Sequence, residues 1–183
     1  MTTTRELAYM PISELSGKIQ KKDISPVEVT QAMLARIDEL EPQLHAFNIL
    51  FKGEVLAAAR NAEDEIQRGD YRGPLHGVPI GIKDIYECGP TTCGSQALEN
   101  YVAQKDCTSV AKLKEAGALI LGKTATYEFA YGFPTNQSYY KPTHNPWNLA
   151  RDAGGSSSGT AASTAAGMAY AGMGSCTGGS IRW

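Results

Sequence analysis

One lysine and two serines stand out, because each sits in a stretch shaped to present it. Lys83 follows the short apolar run Val78-Pro79-Ile80-Gly81-Ile82. Ser156 lies in Gly154-Gly155-Ser156-Ser157-Ser158-Gly159, and Ser180 closes Cys176-Thr177-Gly178-Gly179-Ser180. A hydroxyl becomes a useful nucleophile when a neighbouring base takes its proton. The three histidines, His45, His76 and His144, fall outside these motifs, so a Ser-His-Asp arrangement is not suggested, whereas a Ser-Lys variant needs no imidazole. Two glycines ahead of Ser180 let consecutive backbone N–H groups point at one spot, which is what an oxyanion hole requires.

The elements that must hold these residues are readable in outline. Residues 1–70 read as helices. Ser25-Pro26-Val27-Glu28 combines an N-cap serine, a proline at the first helical position and a glutamate three residues after the cap. Val27, Thr30, Met33, Leu34, Ile37 and Leu40 then recur at helical spacing, and Pro42 is expected to end the run. An alanine-rich helix is expected from Glu54 to Gln67, stopping at Gly69-Asp70. Residues 71–183 change texture to Gly, Pro and short β-branched runs. Val78 to Ile82 reads as a strand whose proline argues for an edge or a strand start. A glycine-punctuated loop (89–94), a helix over 109–116, a Gly117 stop and the strand Ala118-Leu119-Ile120-Leu121 follow. The expected fold is α/β, a mixed β-sheet covered by helices. From Phe133 to Gly155 the chain reads as one long irregular stretch, of a length that in compact proteins is usually functional or disordered.

The segment 153–180 carries eight of the 19 glycines. A flexible linker is the simplest reading of such a run. The small residues from Thr160 to Met168 favour a closely packed helix instead, with the glycines opening it and a strand over 168–175 beyond. Gly117 to Thr124 matches the phosphate-loop pattern G-x-x-x-x-G-K-T letter for letter. Its context contradicts nucleotide binding, since the four intervening residues are the apolar Ala-Leu-Ile-Leu and a helix precedes them rather than follows.

Composition narrows the partners. The net charge of −2 and the pI near 5.9 give no electrostatic reason to expect nucleic acid or an anionic membrane, and no basic run exceeds the pair Lys21-Lys22. Neither a signal peptide nor an eighteen-residue apolar span is readable, so the expected location is cytoplasmic. Cys88, Cys93, Cys107 and Cys176 fit no zinc spacing and are expected to be reduced; no metal or cofactor is called for.

Taken together, the motifs resemble the amidase signature family, and the resemblance covers nearly the whole chain. Gly77 to Asp84 looks like its lysine segment, Gly117 to Thr124 with Glu128-Phe129-Ala130 like its next strand and loop, Asn145-Pro146-Trp147 through Arg151 to Ser157 like the approach to its second serine, and Thr177 to Arg182 like its nucleophile turn. The resemblance implies a Ser-Ser-Lys triad in which Ser180 attacks the carbonyl of a small-molecule amide and Ser156 bridges it to Lys83. It further implies a cis peptide bond before Ser156 and an oxyanion hole from the N–H groups of Thr177, Gly178, Gly179 and Ser180. Lys83 must then start neutral, and moving a lysine pKa from ~10.4 to about 7 needs roughly 4 to 5 kcal/mol, which burial and a serine hydrogen bond could supply.

The sequence departs from the family at Cys176, where an aspartate is usual, and at Ala125, where an asparagine is common. Cys176 is read as a small buried side chain rather than a second nucleophile. Members of the family are longer than this chain, which therefore reads as the N-terminal part of a single amidase domain. The leading expectation is an amidase releasing a carboxylate and ammonia or an amine. Two alternatives stand beside it: an inactive truncated fragment, and the glutamine-hydrolysing subunit of an aminoacyl-tRNA amidotransferase. Assembly as a homo-oligomer or with a missing C-terminal portion is left open.

Overall fold

The computed structural model describes residues 4–133 and 138–182. Helices α1 (Thr4–Ala8), α2 (Ile12–Gln20) and α3 (Pro26–Leu44) come first. The start of α3 is fixed as its residues require. Ser25 Oγ accepts from the N–H groups of Val27 and Glu28, at 2.9 and 3.4 Å, and the Glu28 carboxylate accepts from the Ser25 N–H at 2.9 Å. Pro42 does not end this helix. It lies in the last turn, where it forfeits one backbone bond, and the chain leaves the helix at His45 with φ of 50°.

Strand β1 (Phe47–Leu50) interrupts the helical region expected over the first 70 residues, and α4 (Lys52–Arg68) follows it. Gly69, at φ of 97°, closes α4 as a left-handed cap. Next come β2 (Pro79–Lys83), α5 (Thr108–Glu115) and β3 (Leu119–Thr124), then the short hairpin β4 (His144–Asn145) and β5 (Asn148–Asp152), then α6 (Ser158–Ala165) and β6 (Ala171–Met173). The hairpin lies inside the stretch read as irregular, and the glycine-serine run opens α6 rather than forming a linker. No helix among the described residues is long and apolar enough to cross a membrane.

The main sheet has the order β1-β3-β2-β6. β2 runs parallel to both β3 and β6, and β1 runs antiparallel to β3. Pro79 thus starts its strand, as one of the two expectations had it, but β2 is internal rather than at an edge. The missing N–H of proline is tolerated at a first strand position because the ladder is only beginning there. This is the mixed sheet with helices that the sequence implied. Leu119 and Leu121 pack with α3, α4 and α6 in one apolar cluster, while Ile80, Ile82 and Ile120 pack with α2 and Val110 of α5 in a second. Between Ile80↔Ile120 and Gly81↔Gly122 the register gains a residue on β3, so Lys123 comes to lie opposite Ile82 and Thr124 opposite Lys83. Gly122 also lets β1 come close to β3 on the other side, since a Cβ there would lie 2.2 Å from the Ile49 carbonyl oxygen. The false phosphate loop is therefore a buried strand with a fully buried lysine.

Candidate active site

Lys83 is the last residue of β2 and is fully buried. Ser156 precedes α6 and is buried; Ser180 lies in the turn after β6 and is half-buried. The sheet brings these three residues together. Lys83 Nζ donates to Ser156 Oγ at 2.7 Å, and Ser156 Oγ donates to Ser180 Oγ at 3.0 Å. The Gly155-Ser156 peptide is cis. Glycine is required at 155 because the ring of Tyr127 covers it, and a Cβ would fall 2.4 Å from that ring. Tyr127 in turn donates its hydroxyl to Asp152 at 3.1 Å; burial, with Asp152 adding to it, raises this phenol well above its usual range.

A fourth side chain enters the site that the motifs did not single out. Ser175 Oγ accepts a second hydrogen bond from Lys83 Nζ, at 2.8 Å. A hydroxyl two residues beyond β6 and next to Cys176 was the only signal in the sequence. Ser157 fastens the same turn to the start of α6. Its hydroxyl donates to the Ser175 carbonyl at 3.0 Å and accepts from the Ser175 N–H at 3.2 Å, and its own N–H donates to the Ser180 carbonyl at 3.1 Å.

Burial pulls the Lys83 ammonium down to about 8, against a smaller opposing pull from Cys176. With Lys83 protonated, the hydrogen bonds run from lysine through Ser156 to Ser180. Once it is neutral, the amine can accept, and the chain can reverse so that Ser180 donates its proton toward Ser156.

Cys176 is exposed, not buried as read from the sequence, because the turn carries it outward past Ser175. Its sulfur accepts from Arg182 Nε at 3.4 Å. That bond, then the backbone N–H of Ile181, and more weakly that of Gly179, lower the thiol pKa against desolvation. The sulfur thus gathers donors of the turn that carries Ser180. Thr177 and Gly178 are exposed and Gly179 is buried. A cavity of about 410 Å³ lined by Tyr127, Phe129, Tyr131, Tyr140 and Thr143 reaches Ser158, two residues past Ser156.

The serine-lysine hydrogen-bond chain thus starts at the end of β2 in a helix-covered mixed sheet. Residues 28–183 match the sequence model of the Amidase family, to which the chain belongs. Among the relatives, a glutamyl-tRNA(Gln) amidotransferase subunit from Carboxydothermus hydrogenoformans is 49% identical over 179 residues, covering 97% of this chain and 37% of the relative. The chain thus spans little more than a third of the length of the curated relatives it matches. Among solved structures, one described as fatty acid amide hydrolase superposes with a TM-score of 0.93 at 28% identity, over all of this chain and 32% of that one. A second, described as a crystal structure of amidase, gives 0.86 at 32% identity, over 94% and 40% of the two chains.

Proposed function

We propose that this chain carries the catalytic machinery of an amide hydrolase, with Ser180 as nucleophile, Ser156 as proton bridge and Lys83 as base. The continuous chain Lys83 Nζ, Ser156 Oγ, Ser180 Oγ is the observation that carries the reading. Ser180 Oγ would attack the amide carbonyl while its proton passes to Ser156 and the Ser156 proton passes to neutral Lys83. The same route, reversed, delivers a proton to the departing nitrogen. Water then cleaves the acyl-serine ester to release the carboxylate. The backbone N–H groups of Thr177, Gly178, Gly179 and Ser180 would receive the developing oxyanion, with that of Gly179 shared with the Cys176 sulfur, and loss of one such donor typically lowers turnover by about a hundred- to a thousand-fold.

For the amide itself, the relatives favour glutamine. Eight curated relatives, at 44 to 49% identity, carry the name of one and the same glutamyl-tRNA(Gln) amidotransferase subunit. This supports the glutamine-hydrolysing subunit over a free-standing amidase, with ammonia passed to a partner rather than released.

Treating the chain with a fluorophosphonate and mapping the adduct by peptide mass spectrometry tests the triad. A single adduct on Ser180, absent in Lys83→Ala and Ser180→Ala, is the expected result; a folded chain with no adduct would overturn it for this chain. Ammonia release from glutamine, measured against release from simple aliphatic and aryl amides, decides the substrate class.

A further inference from the structure

The lysine of the G-x-x-x-x-G-K-T stretch has a use that nucleotide binding does not supply. Lys123 and Asp84 are both fully buried, with Nζ and Oδ1 3.7 Å apart. The bulge on β3 turns Lys123 toward the Ile82 side, where Asp84 emerges from the end of β2. Both residues then take hold of the loop that follows. Lys123 Nζ donates to the Tyr86 carbonyl oxygen and, at 2.8 Å, to Thr91 Oγ1. Asp84 accepts from the Thr92 N–H at 3.0 Å, from the Thr92 hydroxyl, and from Asn48 Nδ2 of β1 at 2.9 Å. The loop is thereby pinned at both ends.

From there the contacts lead back to the serines. The Tyr86 hydroxyl donates to the Gly174 carbonyl oxygen at 3.0 Å. Gly174 is the residue before Ser175, whose hydroxyl holds the Lys83 amine. Asp84 is also the chain neighbour of Lys83, so an uncompensated carboxylate there would favour the charged form of the very lysine that must lose its proton. Burial lowers the Lys123 pKa, and the carboxylate of Asp84 is the largest of the influences that oppose it. Removing one member of a buried pair leaves the other charge without its counterion.

We propose that Lys123 and Asp84 are positioning residues for the candidate active site. The pair clamps the 84–92 loop so that Tyr86 braces the turn carrying Ser175 and Ser180, and Lys123 cancels the negative charge that Asp84 would otherwise present beside Lys83. This role rests on the reading of Lys83 as base. Of the other titratable groups, Cys176 on the nucleophile turn acts on Lys83, with Arg182 bonded to that cysteine in turn, while the hydroxyls of Ser156 and Ser175 accept from the amine.

The test is an NMR titration of the chain carrying carbon-13 at lysine Cε, with the Lys83 resonance assigned by its loss in Lys83→Met, alongside amide hydrogen exchange over residues 174–180. In Lys123→Met the Lys83 midpoint should rise by about one pH unit. Adding Asp84→Asn should bring it back. Tyr86→Phe, which removes one hydroxyl and spares the buried pair, should speed exchange over 174–180 by about tenfold with the midpoint retained. An unchanged exchange rate in Tyr86→Phe, an unchanged midpoint in folded Lys123→Met, or a midpoint that stays high in the double variant would each overturn the proposal. Fluorophosphonate labelling is read in parallel. A chain whose Lys83 responds as expected but whose Ser180 is never labelled would lose the triad and keep the clamp; the opposite pattern would do the reverse.

Discussion

Lys83 Nζ is shared between two hydroxyls, with Ser175 Oγ at 2.8 Å and Ser156 Oγ at 2.7 Å. Two acceptors on one amine fix its direction better than one, and both favour its protonated form. Ser175→Ala removes the acceptor that is not part of the proposed proton path. The acid limb of Ser180 labelling should therefore move to lower pH, while the plateau rate falls by about tenfold as the amine loses its second anchor. A pH series of fluorophosphonate labelling rates reads both effects from one data set.

The same labelling reaction in the unaltered chain should report Lys83 directly. Because burial lowers this lysine to about 8, the neutral amine that the proposed mechanism uses is the minor form below that value and the major form above it. The rate should fall tenfold for each pH unit below the midpoint and level off above pH 8 to 9. A rate that is flat from pH 6 to 9 in a folded chain would mean that no group of this pKa governs Ser180.

Cys176 stands where the resemblance implies an aspartate, and its sulfur gathers Arg182 Nε and the N–H of Ile181. Oxygen is a stronger acceptor than sulfur and a carboxylate is anionic at every pH of interest. Cys176→Asp should therefore firm the turn and raise plateau labelling by about three- to tenfold. It should also move the acid limb upward, since Cys176 already pulls Lys83 that way. Cys176→Ala should shift both in the opposite sense. Identical profiles for the two variants would mean that the residue at 176 does not act on Lys83.

What the sequence disclosed, it disclosed through local rules. The capping box of α3 closes within four residues, and the glycine spacing around Ser156 and Ser180 reflects turns whose demands are met nearby. Pro42 misled because a proline in a last helical turn costs one hydrogen bond, whereas the same residue mid-helix would break it. β1 escaped notice since all four of its residues are half-buried, which gives no alternation, and its partner β3 lies some seventy residues away. Ser175 was invisible for a similar reason: its contact with Lys83 spans 92 positions. Cysteine is buried more often than not, and that habit failed at 176, where a turn rather than side-chain chemistry decides exposure.

The start of α6 must press onto the end of β3, and Gly159 is where it does so. Its N–H donates to the Ala125 carbonyl oxygen at 3.1 Å, and a Cβ on it would lie 2.2 Å from both Ala125 N and Ala46 O. Those are backbone atoms, so neither can swing aside as a side-chain tip would. Gly159→Ala should cost about 3 kcal/mol, and because α6 begins beside Ser156 the labelling rate should fall with it. Gly17 in α2 offers the contrast. Nothing lies within 4 Å of a Cβ there and its backbone is helical, so Gly17→Ala should stabilise by about 0.5 to 1 kcal/mol and leave labelling unchanged. Thermal melts of the two variants should move in opposite directions. A Gly159→Ala chain that melts as the unaltered one does would mean that α6 can ride away from β3, and with it the fixed distance between Ser156 and Lys83.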